Sequence, residues 1–181
     1  MQLLDTAKSF LSGKIKSGDT LVDFTMGNGH DTEYLCSLVP DGKVYAFDIQ
    51  DGALESTAKL LEAENAPKNY TLIKASHHLV RDYVKEPFCV GMFNLGWLPG
   101  GEKSVTTMHQ TTIPAITEAI DLLDSGGGIL IAVYPGHPEG EIEGELITEL
   151  LSGYSRFRFT ISCLKIVNSP SSPFFFLVEK K

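Results

Sequence analysis

Strand-like and helix-like segments alternate along this chain of 181 residues, and the alternation leaves few folds open to it. Apolar runs of strand length occupy residues 20–24, 43–48, 70–74, 88–94 and 127–134. Strands that alternate with helices predict a parallel sheet with helices on both faces. The length predicts a single domain over residues 1–181.

Three of the intervening segments carry helix signals. Residues 31–39 are helical in pattern, and Asp51 is placed to cap the following helix. Between the fourth and fifth strands, Thr112 or its neighbour is expected to cap a helix that has Pro114 in its first turn.

The end of the chain departs from the alternation. A predicted helix over about 142–151 leads into strands at 156–164 and 173–179, with no helix between these two strands. The last strand is therefore expected to enter the sheet antiparallel. Seven strands in this order predict an α/β fold, the mostly parallel Rossmann-like sheet of class I methyltransferases.

Composition narrows the setting in which the protein works. Hydrophobic residues make up 43% and no apolar run approaches the roughly 20 residues of a membrane helix. The first fifteen residues lack the apolar core of a signal peptide. Cys36, Cys89 and Cys163 fit neither a metal site nor a disulfide framework, which predicts free thiols in the cytoplasm. The net charge of −8 counts mildly against RNA without excluding a local basic patch.

A glycine loop follows the first strand and precedes a helix. Gly27 and Gly29 allow a tight turn and a close approach of the backbone to a ligand. Thr32 stands where a dinucleotide fingerprint has a third glycine or alanine. The predicted cofactor-binding residues in this segment are Asp23, Thr25, Met26, Gly27, Asn28, Gly29, His30, Asp31 and Thr32. For His30, a polar residue at a helix start is an equally good interpretation.

The second strand ends in Asp48, 19 residues after Gly29, close to the spacing of about 20 expected for an acid that binds ribose. Asp48, Ile49 and Gln50 are therefore assigned to the cofactor. Both NAD and S-adenosylmethionine suit this geometry. Asp23 favours S-adenosylmethionine, because a second carboxylate suits its ammonium better than a pyrophosphate.

The fourth strand leads into Asn94, Leu95, Gly96 and Trp97, where amine methyltransferases often carry an Asp/Asn-Pro-Pro-aromatic tetrad. The tetrad's first and last positions are kept and both prolines are lost. The oxygen of Asn94 can hold the hydrogens of an amine, and Trp97 can stack on a planar base. Packing in the core is the alternative for Trp97. We assign Asn94 and Leu95 also to the cofactor, and Gly96, Trp97 and Lys103 to the substrate.

Three further residues are candidates by position. Ser76 and His77 follow the third strand, where contacts to adenine are expected, although Ser76 can equally cap a helix. His137 ends the fifth strand and is a candidate to relay the departing proton, with a plain turn histidine as the alternative. No metal site is expected.

The segments DFTMGNGHDT, VYAFDIQ, FNLGWLPGGEK and VYPGHPEGE together resemble a small bacterial family known as rRNA methylases. The resemblance spans the chain from Leu21 to the closing strand. Phe24 stands where alanine is common in the family, which is expected to matter little. Trp97 replaces the more usual tyrosine, so no role of a phenol hydroxyl is carried over.

The resemblance implies an enzyme that methylates the exocyclic amine of a modified uridine, 5-aminomethyl-2-thiouridine, at the tRNA wobble position. It implies S-adenosylmethionine as cofactor, S-adenosylhomocysteine as product, and tRNA rather than DNA or a membrane as partner. A homodimer with a composite basic groove is compatible with it. Candidate RNA contacts, for which solvated surface charge is the alternative, are Lys103, Arg156, Arg158, Lys165, Lys8, Lys14 and Lys16.

Other functions remain open from the sequence. A methyltransferase for another amine, in a small molecule, a protein or rRNA, would share the cofactor site. A non-catalytic regulator that binds S-adenosylmethionine or a nucleotide would lack a use for Asn94 and Trp97. An NAD-dependent oxidoreductase is disfavoured by Thr32.

Overall fold

The computed structural model describes residues 3–102, 104–169 and 171–181. Its strands are β1 Thr20–Asp23, β2 Lys43–Asp48, β3 Tyr70–Lys74, β4 Phe88–Asn94, β5 Leu123–Val133, β6 Phe159–Leu164 and β7 Phe174–Lys180. They form one sheet in the order β3-β2-β1-β4-β5-β7-β6. The first five are parallel, and β7 runs antiparallel to both β5 and β6. The predicted sheet, with its antiparallel last strand, is confirmed.

The helices pack on both faces of this sheet. They are α1 Leu3–Ser12, α2 His30–Leu38, α3 Asp51–Ala63, α4 Val80–Tyr83, α5 His109–Leu122 and α6 Pro138–Ser152, with a short 3-10 turn at His77–Leu79. Residues of α1 to α3 pack into one buried cluster, and residues of α4 to α6 pack into the other. No helix in the described part of the chain has the length and apolar character needed to cross a membrane.

The start of α5 differs from the prediction. The helix begins at His109, so Pro114 falls in its second turn and Thr112 lies inside it. The hydroxyl of Thr112 is buried and donates to Glu143 Oε1 at 2.5 Å. Thr112 therefore does not cap the helix, because a cap must accept a backbone N–H.

Other element boundaries also differ from the prediction. α6 begins at Pro138, one turn before the predicted start, because His137 caps it by accepting the N–H of Gly140 at Nδ1 (3.2 Å). Asp51 is the first residue of α3 rather than its cap. α1 was not predicted, and β5 begins at Leu123 instead of residue 127.

Phe24 has a larger role in packing than the sequence suggested. Its side chain is 1% exposed and its ring stacks on that of Phe93, with ring centroids 4.1 Å apart. The rings of Phe47 and Phe88 pack around it at 6.2 and 5.9 Å. Gly91 leaves the space for this cluster, since a Cβ there would lie 3.0 Å from Phe24 Cε2.

We expect Phe24→Ala to lower the free energy of unfolding by about 3–5 kcal/mol, because it empties a buried aromatic site. Denaturant unfolding measures the change. Phe157→Ala is the matched control: Phe157 is 79% exposed, so its loss should change the free energy by less than about 0.5 kcal/mol. Equal effects of the two variants would contradict the central place of Phe24.

Candidate active site

Three neighbouring parallel strands end in polar side chains. Asp48 ends β2, Asp23 ends β1 and Asn94 ends β4, and these strands lie side by side in the sheet. The direction of the chain across the sheet reverses between β1 and β4. Ligands of open α/β sheets bind at such a switch point, beyond the carboxyl ends of the strands.

The carboxylate of Asp48 holds the glycine loop in place. Its Oδ2 accepts the N–H of Gly27 at 3.0 Å, and its Oδ1 accepts the N–H of Gln50 at 3.0 Å. Asp48 is half-buried, and a carboxylate offers about four acceptor positions, so two remain for hydroxyl groups of a ligand. The side chain of Ile49, beside it, is 54% exposed.

Gly29 is required by the packing of the loop against α3. Its φ of +91° lies in the left-handed region, at the N-cap position directly before α2. A Cβ at this position would lie 2.9 Å from the Cα of Thr57. Thr57 also donates its hydroxyl to the carbonyl of Gly27 at 3.2 Å. Thr57 was not predicted, because nothing near it in sequence marks it.

Asp23 is buried beneath the loop, with 1% of its surface exposed. Its carboxylate accepts the N–H of Thr25 at 3.0 Å and the hydroxyl of Thr32 at 2.6 Å. Thr32, which breaks the dinucleotide pattern, is thus a partner of the acid. Burial, and next the charge of Asp31, raise the pKa of Asp23 to about 7.

Asp31 joins α1 to the end of β4. Its Oδ1 forms an ion pair with Lys8 Nζ at 2.5 Å, and its Oδ2 accepts from Asn94 Nδ2 at 3.3 Å. A carboxylate only accepts hydrogen bonds, so the amide nitrogen of Asn94 must face it. The amide oxygen then faces elsewhere, and no hydrogen bond to it occurs within the residues that the structure describes. The backbone N–H of Asn94 donates to Thr25 Oγ1 at 2.6 Å.

Residues 95–102 and 104–107 belong to a loop, here called the acceptor loop, whose two ends contact each other. Gly96 and Thr107 pair through Thr107 N–H and the Gly96 carbonyl at 3.0 Å, and Trp97 forms an antiparallel bridge to Thr106. Asn28 Nδ2 donates to the carbonyl of Pro99 at 3.1 Å. The acceptor loop therefore contacts the glycine loop directly.

Trp97 packs against His137, with ring centroids 4.9 Å apart and planes inclined at 58°. His137 Nδ1 accepts the N–H of Gly140, so the neutral ring carries its proton on Nε2. Nε2 is buried and has no hydrogen-bond partner within the described residues. A proton relay through His137 stays a prediction, and this tautomer would donate from Nε2.

The residues after β3 take two different positions. His77 turns into the core, 7% exposed, with Nδ1 3.2 Å from the carbonyl of Phe24, and burial lowers its pKa to about 4. Ser76 is half-buried, and its hydroxyl lies 2.8 Å from His78 Nδ1. Of this pair, Ser76 is the better placed to meet a ligand.

The remaining predicted residues flank the two loops. Met26 is buried, His30 is exposed at the start of α2, and Leu95 is buried with its N–H on the carbonyl of Ala132. Lys103 lies outside the described residues.

The candidate RNA contacts separate to opposite ends of the sheet. Leu164, the last residue of β6, lies level with Asn94 across the sheet, because the register connects them through Phe175 and Ala132. Lys165, which follows β6, therefore lies at the same end of the sheet as Asn94. Arg156 and Arg158 precede β6 and lie at the opposite end. Lys8 is paired with Asp31, and Lys14 with Glu179 at 3.1 Å. Among the described residues, the predicted cations therefore do not form one patch.

Sequence reasoning missed Glu143, a buried acid on α6. It is 1% exposed and accepts hydroxyl hydrogen bonds from Thr107 Oγ1 at 2.9 Å and from Thr112 Oγ1 at 2.5 Å. Burial raises the pKa of Glu143. Glu143 lies inside a predicted helix, and no sequence motif around it indicated a functional contact.

Strand order, glycine loop and the polar ends of β1, β2 and β4 define a Rossmann-like class I methyltransferase. The model of the family described as "Putative rRNA methylase" matches residues 44–180. The chain belongs to this family.

Relatives extend the comparison over the whole chain. A chloroplastic protein of Arabidopsis thaliana, named tRNA (mnm(5)s(2)U34)-methyltransferase, is 36% identical over 178 residues, which cover 92% of this chain and 65% of the relative. A solved structure from Clostridium thermocellum, with the same description as the family, is 38% identical, has a TM-score of 0.96 and covers 100% of this chain and 98% of its own.

A second solved structure, from Streptococcus mutans, is 34% identical with a TM-score of 0.92. The match covers 100% of this chain and 99% of that one. It is described as "a putative methyltransferase" in complex with SAH.

We expect Gly29→Ala to abolish ligand binding at the loop and to destabilise the fold, because the new Cβ meets Thr57 and the residue has a positive φ. Gly52→Ala is the matched control: a Cβ there meets nothing within 4 Å, and alanine favours helix α3. Thermal unfolding and calorimetric titration with S-adenosylmethionine measure both effects. Normal binding by Gly29→Ala would contradict the steric argument.

Proposed function

We propose that this chain transfers a methyl group from S-adenosylmethionine to the aminomethyl nitrogen of 5-aminomethyl-2-thiouridine at the tRNA wobble position. Family membership and the name of the Arabidopsis relative support the reaction and the substrate. The observation that carries the proposal is the orientation of Asn94. Its nitrogen is committed to Asp31, so its oxygen is the group left to bind an amine.

The donors at the glycine loop fit S-adenosylmethionine. Asp48 has acceptor positions left for the two ribose hydroxyls, and exposed Ile49 offers an apolar surface to the adenine. Asp23 and Asp31 place negative charge where a ligand with an ammonium and a sulfonium is favoured. When bound, the cofactor would supply an electrophilic methyl group on sulfur.

Asn94 would orient the amine for attack. An alkylamine resembles lysine, whose pKa is about 10.4, so it arrives protonated and must lose a proton before it reacts. The amide oxygen accepts an N–H of the neutral amine and aims the nitrogen lone pair at the methyl carbon. The proton lost before the reaction goes to water. The nitrogen–carbon bond then forms as the carbon–sulfur bond breaks, the bonding pair stays on the sulfur of S-adenosylhomocysteine, and the positive charge passes to the nitrogen, which stays protonated as a secondary ammonium at neutral pH.

The acceptor loop would bind the nucleoside. Trp97 is half-buried and lies three positions after Asn94 in the chain, so its ring can stack on the thiouracil base. Gly96 leaves space beside it, because a Cβ there would meet nothing within 4 Å. Lys165, at the same end of the sheet, and Lys103 are the proposed phosphate contacts.

A different amine substrate is the second candidate function. It is favoured by the net charge of −8 and by the separation of the predicted cations to opposite ends of the sheet. Either substrate is compatible with work in the cytoplasm, where Cys36, Cys89 and Cys163 stay as the free thiols that the structure contains.

The decisive assay uses purified protein, S-adenosylmethionine with a labelled methyl group, and total tRNA from cells that lack this enzyme. We expect label on 5-aminomethyl-2-thiouridine after digestion and mass spectrometry. Label absent from tRNA, together with measured binding of S-adenosylmethionine, would overturn the tRNA substrate and favour another amine.

In the same assay, Asn94→Ala should lower kcat by at least about a hundredfold, because the amine loses its orienting acceptor. Because Asn94 is also assigned to the cofactor, kcat is measured at saturating S-adenosylmethionine, and binding of S-adenosylmethionine that weakens by no more than a few-fold is the internal control for folding. Turnover close to that of the wild type would rule out the proposed role of Asn94.

Binding of S-adenosylmethionine should release a proton near pH 6. The pKa of Asp23 is raised from 3.8 to about 7, so without ligand the acid is mostly protonated at this pH, and a cationic ligand favours its ionised form. Affinity is therefore expected to rise with pH up to about 7. For the same reason, Asp23 makes the free energy of unfolding of the ligand-free protein fall as pH rises from 3.8 to about 7.

Calorimetric titration in buffers of different ionisation enthalpy counts the released protons. Asp23→Asn should remove the release, whereas Asp82→Asn, an exposed acid on α4, should keep it. The same proton count in Asp23→Asn and the wild type would show that another group is responsible.

A further inference from the structure

We propose that Glu143 is a positioning residue that sets the geometry of the acceptor loop through the hydroxyl of Thr107. The inference rests on the proposed function, because that function gives the acceptor loop its role in holding the amine and the base. Nothing in the direct chemistry of the transfer requires a carboxylate on α6.

Glu143 is a carboxylate whose partners are hydroxyl groups. It is 1% exposed, and none of the ion pairs of the described residues includes it. A buried carboxylate costs free energy unless hydrogen bonds satisfy it, and an apolar side chain of similar size would pack these helices at lower cost. A role outside packing is therefore the better account of Glu143.

Thr107 links the carboxylate to the backbone of the acceptor loop. Its hydroxyl accepts the N–H of Gly96 at 2.9 Å and donates to Glu143 Oε2 at 2.9 Å. Its own N–H donates to the carbonyl of Gly96 at 3.0 Å. Both backbone polar groups of Gly96 thus end on Thr107. The acceptor-only carboxylate fixes the direction of the chain of hydrogen bonds.

Gly96, whose two backbone polar groups are bonded to Thr107, lies between Asn94 and Trp97, the two side chains that the proposed reaction uses. Gly96 lies close after Asn94 and directly before Trp97, and its φ of +118° gives the loop its bend. Holding both polar groups of Gly96 sets the direction of Trp97 relative to Asn94. α6 meets the loop a second time, where His137 packs on Trp97.

A separate contact already joins α5 to α6, so Glu143 is not needed to hold these helices together. Glu139 Oε1 accepts from the backbone N–H of His109 at 2.6 Å and lies 2.7 Å from its Nδ1. Glu143 also binds Thr112, which lies on α5 and has no hydrogen bond to the described residues of the acceptor loop.

Thr107 and Thr112 make a matched pair for the test. Thr107→Val and Thr112→Val each remove a hydroxyl donor to the same carboxylate at nearly constant volume, but only Thr107 holds the loop. We expect Thr107→Val to lower kcat for tRNA methylation at least tenfold with the affinity for S-adenosylmethionine within twofold. Thr112→Val should keep kcat within twofold of the wild type.

Trp97 provides a direct readout, because it is the only tryptophan in the chain. Its emission should shift to the red and become more accessible to acrylamide in Thr107→Val and in Glu143→Gln, and should match the wild type in Thr112→Val. Thr107→Ser keeps the hydroxyl and should restore both kcat and emission.

Equal changes in kcat and in Trp97 emission for the two valine variants would overturn the inference, because Glu143 would then act only on the helices. A Thr107→Ser protein with the losses of Thr107→Val would overturn it as well, and this variant decides the matter if the valine protein does not fold. The emission needs no substrate. Failure of the wild type to methylate tRNA would therefore count against the proposed function alone.

Discussion

The presence of three neighbouring carboxylates, one of them buried, is the constraint on which the site depends. Asp23 ends β1, Asp48 ends β2, and Asp31 lies in the first turn of α2. Burial, and next the charge of Asp31, with a smaller effect of Asp48, raise the pKa of Asp23. Each acid has its own donors. Asp23 accepts a backbone N–H and a threonine hydroxyl, and Asp31 pairs with a lysine and accepts from an amide. Asp48 accepts two backbone N–H groups. These bonds also shape the glycine loop and orient Asn94. The three acids and their donors would thus form the site that binds a cationic ligand.

The two loops of the site depend on opposite faces of the sheet. The glycine loop rests on α3 through Thr57, and Asn94 reaches α1 through Asp31 and Lys8. The acceptor loop rests on α6 through Glu143. Because the loops also touch each other where Asn28 binds Pro99, a change on either face can alter the distance between the two loops, and with it the distance between the proposed methyl donor and acceptor sites.

Local patterns predicted most of the fold. The bounds of β2, β3 and β4 match the prediction, because apolar runs flanked by turns or charges mark buried parallel strands. Helix starts were less accurate. The cap of α6 is a histidine, a poor signal for a helix start, and Pro114 is accommodated in the second turn of α5. The expectation that Phe24 matters little was wrong for packing, since its aromatic neighbours in the core come from two other strands, β2 and β4.

The sequence by itself determined the succession of strands along the chain, the glycine loop, and the polar residues that end β1, β2 and β4, because a short contiguous pattern marks each of them. Only the tertiary structure decided which way Asn94 faces and what holds the acceptor loop. Asn94 and Asp31 are 63 positions apart, and Thr107 and Glu143 are 36 apart. No local pattern encodes such pairs, because the sheet and the packing of α6 against α5 bring the partners within hydrogen-bond distance only after the chain has folded.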